Sequence, residues 1–418
     1  MKNKNNNNNI VLVSGLALFS MFFGAGNLIF PPTLGLLVGS NYISATLGFT
    51  ITAVGIVMLG VIATTKAGGS IENIGQKLGN RFSLLFGTLI LLAIGPGLAI
   101  PRTAATTFEV IEGSIAPGIN PVISSIVFFA IVLFFVLNPT SMIDRLGKFL
   151  TPALLITLAL IIFKGVTSPL GKPTNTGIEN VFGMSFEEGY QTMDALAALV
   201  FTSVVIKGFE IKGIKDKKTL VNLTIKSGIF ASIALSIVYG GLLYIGATTS
   251  SMNLGDIGRV PLLIYIAENL LGQMGKLVLS LAMALACLTT AIGLTSTVGT
   301  FFSNASKGKF SYKTVVLIST AFSAFFAVRG VDSIVKFSVP ILLALYPVSI
   351  VLIFLNLFPN LFRRKSVYIG AVSGAFVPTL VKFSHYLEEL LPPNFGSFLW
   401  IIPVFLMGFV FIILDEEK

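Results

Sequence analysis

The sequence predicts an all-α membrane protein with about twelve transmembrane helices. Three observations lead there: an apolar composition, apolar runs of spanning length, and basic residues that return in every second loop. Of 418 residues, 54% are hydrophobic and 11% charged, whereas a soluble domain is about 25% charged. A chain this apolar cannot turn its surface to water, so most of it must face lipid or membrane-buried protein.

A helix needs roughly 20 apolar residues to cross a bilayer. Runs of that kind occupy about 10–37, 42–65, 83–112, 121–138, 147–165, 189–210, 220–247, 273–303, 314–328, 334–357, 367–383 and 397–414. The stretch 259–271 is shorter and reads as a hairpin or re-entrant helix on the outside. The apolar stretch after the polar N-terminal tract lacks a small-residue cleavage site of secretory type and continues as a full span, so that run reads as a retained helix. No linker or composition shift marks a second domain, and residues 1–418 read as one transmembrane unit.

The loops test the count, because Lys and Arg concentrate on the cytoplasmic side. With the N-terminus inside, the inner segments hold Lys2 and Lys4; Lys66, Lys77 and Arg81; Arg145 and Lys148; Lys212, Lys215, Lys217 and Lys218; Lys307, Lys309 and Lys313; Arg363, Arg364 and Lys365; and Lys418. The outer segments are richer in acids, among them Glu179, Glu187, Glu188, Asp256, Glu388 and Glu389. A miscounted helix would invert this alternation from that point on. Both termini are therefore expected in the cytoplasm, in a multi-pass protein of the cell membrane. The net charge of +10, including the Lys207–Lys218 cluster, reads as an orientation signal and not as affinity for nucleic acid.

Other chemistries are excluded by what is missing. Cys287 is the only cysteine, so no intrachain disulfide forms, and it reads as a packing residue. One histidine, His385, and one cysteine cannot build a zinc or iron cluster. No P-loop, HExxH or GxSxG motif is present, so neither direct ATP coupling nor an enzyme is expected, and no cofactor.

The first run is interrupted. Gly24-Ala25-Gly26-Asn27 is followed by Pro31-Pro32, and two glycines and two prolines within nine residues disfavour an ordinary helix. Irregular backbone is tolerated at membrane depth only when buried in protein or lining a cavity. Such a break exposes carbonyls that hold a cation and a helix N-terminus that favours a carboxylate; a plain proline kink is the alternative. Charges inside spans are rare and informative. Arg102 lies within the third run and Asp194 within the sixth. Their matched depth and opposite sign suggest an outer gate or neutralising pair. Glu109 and Glu112, near the end of the third run, read as reaching water.

Three motifs carry a family resemblance. The runs SMFFGAGNLIFPPTLG (Ser20–Gly35), IGPGLAIPRTAATTFEV (Ile94–Val110) and TMDALAALVF (Thr192–Phe201) resemble the first, third and sixth helices of the bacterial branched-chain amino acid:cation symporters, the LIVCS or BrnQ type. The resemblance covers essentially the whole chain. It implies a LeuT-like fold with broken first and sixth helices, in which five-helix repeats over 10–165 and 189–357 are inverted and two helices over 367–414 are added.

By the same resemblance, the amides near Ala25 and Gly26 meet the substrate carboxylate. The Phe22 carbonyl and Asn27 side chain hold one sodium ion. The carbonyls of Ser20, Phe23 and Ala286 and the hydroxyls of Thr289 and Thr290 hold a second. Phe201-Thr202 resembles the unwound pair that contacts substrate, while Val204 stands where wider relatives carry a second hydroxyl. Phe30 stands where sodium symporters of neurotransmitters carry an Arg, so any outer charge gate lies elsewhere. The implied activity is symport of leucine, isoleucine and valine with sodium by alternating access, in contact with membrane lipid. A proton remains the alternative ion, with Asp194 as the nearest acid. A transporter-like sensor is the alternative class, although no sizeable soluble domain is present to carry a signal.

Overall fold

The first apolar run folds as two helices. α1 (Lys2–Phe22) stops where α2 (Ala25–Val38) starts, and Phe23 and Gly24 belong to neither. Gly24 is extended, with φ −118° and ψ −162°, and its N–H donates to Asn27 Oδ1 at 2.9 Å. Pro31 and Pro32 lie inside α2 without ending it. The interruption thus falls at the glycines, where backbone freedom is greatest, and not at the prolines.

The structure, a computed structural model, describes residues 2–137, 142–211, 214, 216–382 and 398–416. Lys212, Lys215, His385, Glu388, Glu389 and Lys418 lie outside the described residues, as do the predicted run ends at 138, 383 and 397. After α2, a short 3₁₀ turn leads to α3 (Tyr42–Thr50), which continues through a π-helical stretch into α4 (Val57–Ala67). α5 (Ile71–Gly75) precedes α6 (Asn80–Leu92) and α7 (Ala99–Ser114). Then come α8 (Pro121–Leu137), α9 (Met142–Thr167), α10 (Val181–Glu188), α11 (Asp194–Ile211) and α12 (Lys217–Thr248). The chain ends with α13 (Arg259–Ala305), α14 (Tyr312–Ala327), α15 (Val331–Leu357), α16 (Lys365–Lys382) and α17 (Ile401–Glu416). No strand occurs among the described residues.

Within the described residues the predicted runs fall on helix, interrupted at Phe23 and Gly24 in the first and over 189–193 in the sixth. Six stretches are long and apolar enough to cross a membrane by length and composition, and shorter apolar helices accompany them. One of the six, Ala25–Ala67, spans 43 residues, about twice what one crossing needs, and takes in the second half of the first predicted run and all of the second. The exterior carries large apolar side chains, such as Ile126 on α8 and Phe405 on α17, as a multi-pass protein in lipid requires. At the N-terminus of α12, Asp216 accepts from the Thr219 amide and hydroxyl. These bonds favour the ionised carboxyl and lower its pKa.

Three further interruptions shape the interior. Between α6 and α7 the chain turns π-helical over Ala93–Gly97, and Gly95 leaves helical geometry with φ −93° and ψ −125°. Between α10 and α11 lie a 3₁₀ turn, Gly189–Thr192, and Met193 at φ 62°. Within α13, Gly272 at φ 69° separates the 259–271 stretch from the long helix that follows.

α2 is buried from Ala25 to Pro32, so protein surrounds it on every side. Glycine sets its contact with α12. A Cβ on Gly35 would sit 2.0 Å from the Leu243 carbonyl oxygen, and one on Gly246 would sit 2.0 Å from that of Pro32. Backbones approach this closely only where side chains are absent. Gly246→Leu is therefore expected to separate the helices and destabilise the protein by about 1–3 kcal/mol or more. Thermal unfolding in detergent would read this as a clearly lowered midpoint.

Candidate functional site

Three of the interruptions meet at one cavity. Gly24, Ile94, Thr192 and Met193 line it, with Phe22, Phe201 and Leu294 among its apolar walls. Its volume is about 40 Å³. That is room for roughly one water, whose share of liquid is about 30 Å³, and far below the ~300–1,000 Å³ of ligand pockets. The helices are closed around it. Met193 holds a left-handed conformation that a non-glycine residue adopts at a cost of about 1–3 kcal/mol. The turn is fixed by Met193 N–H donating to the Tyr190 carbonyl at 3.0 Å and the Thr192 hydroxyl donating to the Gly189 carbonyl at 2.9 Å.

At the cavity stands a buried polar triangle. Asn27 Nδ2 donates to Asp194 Oδ2 at 2.5 Å and also to the Tyr239 hydroxyl. That hydroxyl donates to Asp194 Oδ2 at 3.1 Å. Three elements are tied together: the start of α2, the start of α11 and the middle of α12. All three side chains are buried, so losing any member leaves partners unsatisfied where water does not reach.

Arg102 lines the same cavity. Its Nη1 donates to the Gln191 carbonyl at 2.7 Å, taking a carbonyl of the 3₁₀ turn. The guanidinium carbon lies 5.2 Å from the Phe30 ring centroid. Nε has no partner.

Arg102 and Asp194 therefore share a cavity, each within reach of the other's charge, without hydrogen-bonding to one another. The ion pairs within 4.0 Å among the described residues are Arg259–Asp332 and Lys276–Glu268. Each charge has its own polar partners: the turn carbonyl draws Arg102, and the amide and phenol draw Asp194. Phe30 carries no charge, but Arg259 lies over its ring at 5.7 Å. The ion pair beside this ring is thus supplied by α13 and α15. Glu109 does not simply face water; its Oε1 accepts from Val331 N–H at 2.8 Å and caps α15.

The remaining expected site residues divide into two groups. Phe22, Ala25, Gly26, Asn27, Phe201 and Thr290 line the cavity. The Thr290 hydroxyl is buried without a partner, 3.5 Å from where a Cβ on Gly24 would stand. Ser20, Phe23, Thr202, Ala286 and Thr289 are not part of the lining. Phe201-Thr202 is not unwound: both lie inside α11, and the interruption falls at Met193. The Thr202 hydroxyl donates to the Ala198 carbonyl at 2.6 Å, and that of Thr289 to the Ala286 carbonyl at 2.9 Å. Both use the local helix bond open to hydroxyl residues. Cys287 is buried and unbridged.

Comparison with known proteins places the chain. The family described as "Branched-chain amino acid transport protein" matches residues 7–418. The chain belongs to this branched-chain amino acid transport family. Among its relatives, the branched-chain amino acid permease BraB of Bacillus subtilis is 38% identical over 372 residues, covering 87% of this chain and 83% of the relative. A branched-chain amino acid transport system 2 carrier protein of Pseudomonas aeruginosa is 36% identical over 412 residues, covering 94% and 93%. Family and relatives are permeases and carriers, not enzymes. Among solved structures, the inward-facing conformation of Mhp1 superposes with a TM-score of 0.66 at 13% identity, covering 97% of this chain and 91% of that one. A Na+-coupled sialic acid symporter superposes at 0.58 with 14% identity, covering 97% and 89%. This family member therefore shares the LeuT-like transporter fold.

Tyr239 and the Gly95 interruption escaped the sequence reading. A tyrosine within an apolar stretch of helix was the available signal for the first, since a buried phenol needs a partner; Gly95-Pro96-Gly97 was the signal for the second. Tyr239→Phe should remove one donor to Asp194 and weaken the triangle by about 1–3 kcal/mol. The expected result is a lowered unfolding midpoint and transport reduced by about tenfold or more, measured on one detergent-purified and reconstituted preparation.

Proposed function

We propose that the protein is a secondary active transporter that carries leucine, isoleucine and valine into the cell in symport with sodium. The observation that carries this reading is the Phe23–Gly24 interruption, with neutral oxygen groups gathered beside it, in a chain matched to this family from end to end. Asn27 and the unpartnered Thr290 hydroxyl stand next to the break. Uncharged hard oxygens, together with the Phe22 carbonyl, suit a monovalent cation. The names of the relatives supply the substrate class.

Twelve spans with both termini cytoplasmic agree with the loop charges, and the runs over 10–165 and 189–357 serve as the two inverted repeats. Transport follows by separating the helices that close the cavity, first toward one side and then toward the other. The lining supports a branched apolar substrate. Met21, Phe22, Ile94, Phe201 and Leu294 offer apolar surface, and burying a branched side chain contributes about 1.5–3 kcal/mol. Such a wall separates leucine from valine by only about 1–3 kcal/mol per methylene, so broad acceptance of the three is expected.

A proton as the coupling ion has one observation in its favour: Asp194, an acid, is buried at the break. Leucine uptake into proteoliposomes separates the two ions. Under an inward sodium gradient, leucine should accumulate, and choline in place of sodium should abolish accumulation. Asn27→Ala should reduce sodium-driven uptake by about tenfold or more. Uptake that ignores sodium and follows an imposed pH gradient would assign the coupling to a proton.

A further inference from the structure

We propose that Arg102 and Asp194 are the substrate's two charge partners, with the guanidinium receiving the α-carboxylate and Asp194 the α-ammonium. This assignment rests on the reading that the substrate is an amino acid. It begins from two opposite charges, each 3% exposed, that line one small cavity without forming an ion pair. Buried charge at membrane depth is expensive unless something neutralises it; here the two charges offset each other across the cavity, and neither has a charged group as a hydrogen-bond partner.

The positive side is assembled from two sources. A Cβ on Gly26 would lie 2.7 Å from Arg102 Nη2, so the guanidinium rests against the first turn of α2. A helix N-terminus is itself electropositive, and the N-cap of this 14-residue helix, Gly24, makes no side-chain cap bond. Two positive sources side by side favour an anion next to them. Arg102 Nε is buried and unpartnered, so donor capacity is available. A carboxylate matches the planar fork of a guanidinium and the helix amides at once.

The negative side is the reverse. Asp194 Oδ2 takes hydrogen bonds from Asn27 and Tyr239, which orient the carboxylate but leave its charge intact. An ammonium group supplies a positive charge in direct contact and further donors. A zwitterion bridges the two sides in one orientation, leaves the site neutral, and directs its side chain to the apolar wall. Gly26 then has a specific purpose: any side chain there would push the guanidinium away.

The test compares leucine with two truncated analogues, 3-methylbutylamine, which lacks the carboxylate, and 4-methylpentanoate, which lacks the amine. Binding to the purified full-length protein in saturating sodium is measured by calorimetry. On the unaltered protein, each analogue should bind at least about tenfold more weakly than leucine. Arg102→Gln should weaken leucine by a similar factor while leaving 3-methylbutylamine unchanged. Asp194→Asn, which keeps the shape of the triangle, should weaken leucine while leaving 4-methylpentanoate unchanged. Gly26→Ala keeps both charges and should repeat the Arg102→Gln pattern, which covers the case of an unfolded Arg102 variant. An analogue that binds the unaltered protein as tightly as leucine, or equal losses for all three ligands in each variant, would overturn the assignment. So would an Asp194→Asn protein that keeps leucine affinity and loses only its sodium dependence, since Asp194 would then serve the ion. If the unaltered protein binds neither leucine nor either analogue, the transport reading itself falls, and this assignment with it.

Discussion

A bilayer gives an interrupted helix no water with which to satisfy its backbone, and the interior of this protein is organised around that constraint. Backbone groups left open at the interruptions and helix starts find partners in polar side chains. Asn27 Oδ1 takes the Gly24 amide, Arg102 takes the Gln191 carbonyl, and Glu109 takes the Val331 amide at the start of α15. Polar side chains are thus drawn to the breaks, which is why the cavity they share is chemically rich inside an otherwise apolar chain.

That arrangement needs a rigid frame. The glycine contacts between α2 and α12 bring the backbones together at van der Waals distance and fix where Tyr239 stands relative to Asn27. The Arg259–Asp332 pair ties the stretch before Gly272 to the start of α15, and Arg259 and Arg102 both lie against the Phe30 ring of α2. A triangle of hydrogen bonds joining three helices is directional, so relative movement of those helices must break it. Closure of the cavity and formation of the triangle are in this sense one event.

Much of this was legible in the sequence, and the exceptions have physical causes. The helical runs were visible because a spanning helix must be long and apolar. The first interruption was visible because Gly24 and Gly26 bracket a polar Asn27. The shared depth of Arg102 and Asp194 was visible, but their partners were not. Pairing depends on competition from Gln191, Asn27 and Tyr239, which lie 89, 167 and 45 residues away along the chain. The break in the sixth predicted run was expected at Phe201-Thr202, yet Thr202 bonds its own helix and the turn forms at Met193. A left-handed methionine carries no sequence signal of the kind a glycine gives. Hydroxyls such as Thr289 and Thr202 are ambiguous for the same reason: the local helix carbonyl is always an available partner.

The central claim is that the cavity at the Gly24 and Met193 interruptions is where substrate binds. Cysteine protection tests it most directly. Cys287 is buried and the only native cysteine, so Ala197→Cys, in a Cys287→Ser background, places one reactive thiol on the cavity wall. Labelling by a small thiol reagent in membranes should slow when leucine and sodium are added together, and should not slow when an amino acid outside the substrate class replaces leucine. A labelling rate that leucine leaves unchanged, in a protein that still transports leucine, would place the substrate elsewhere and contradict the account.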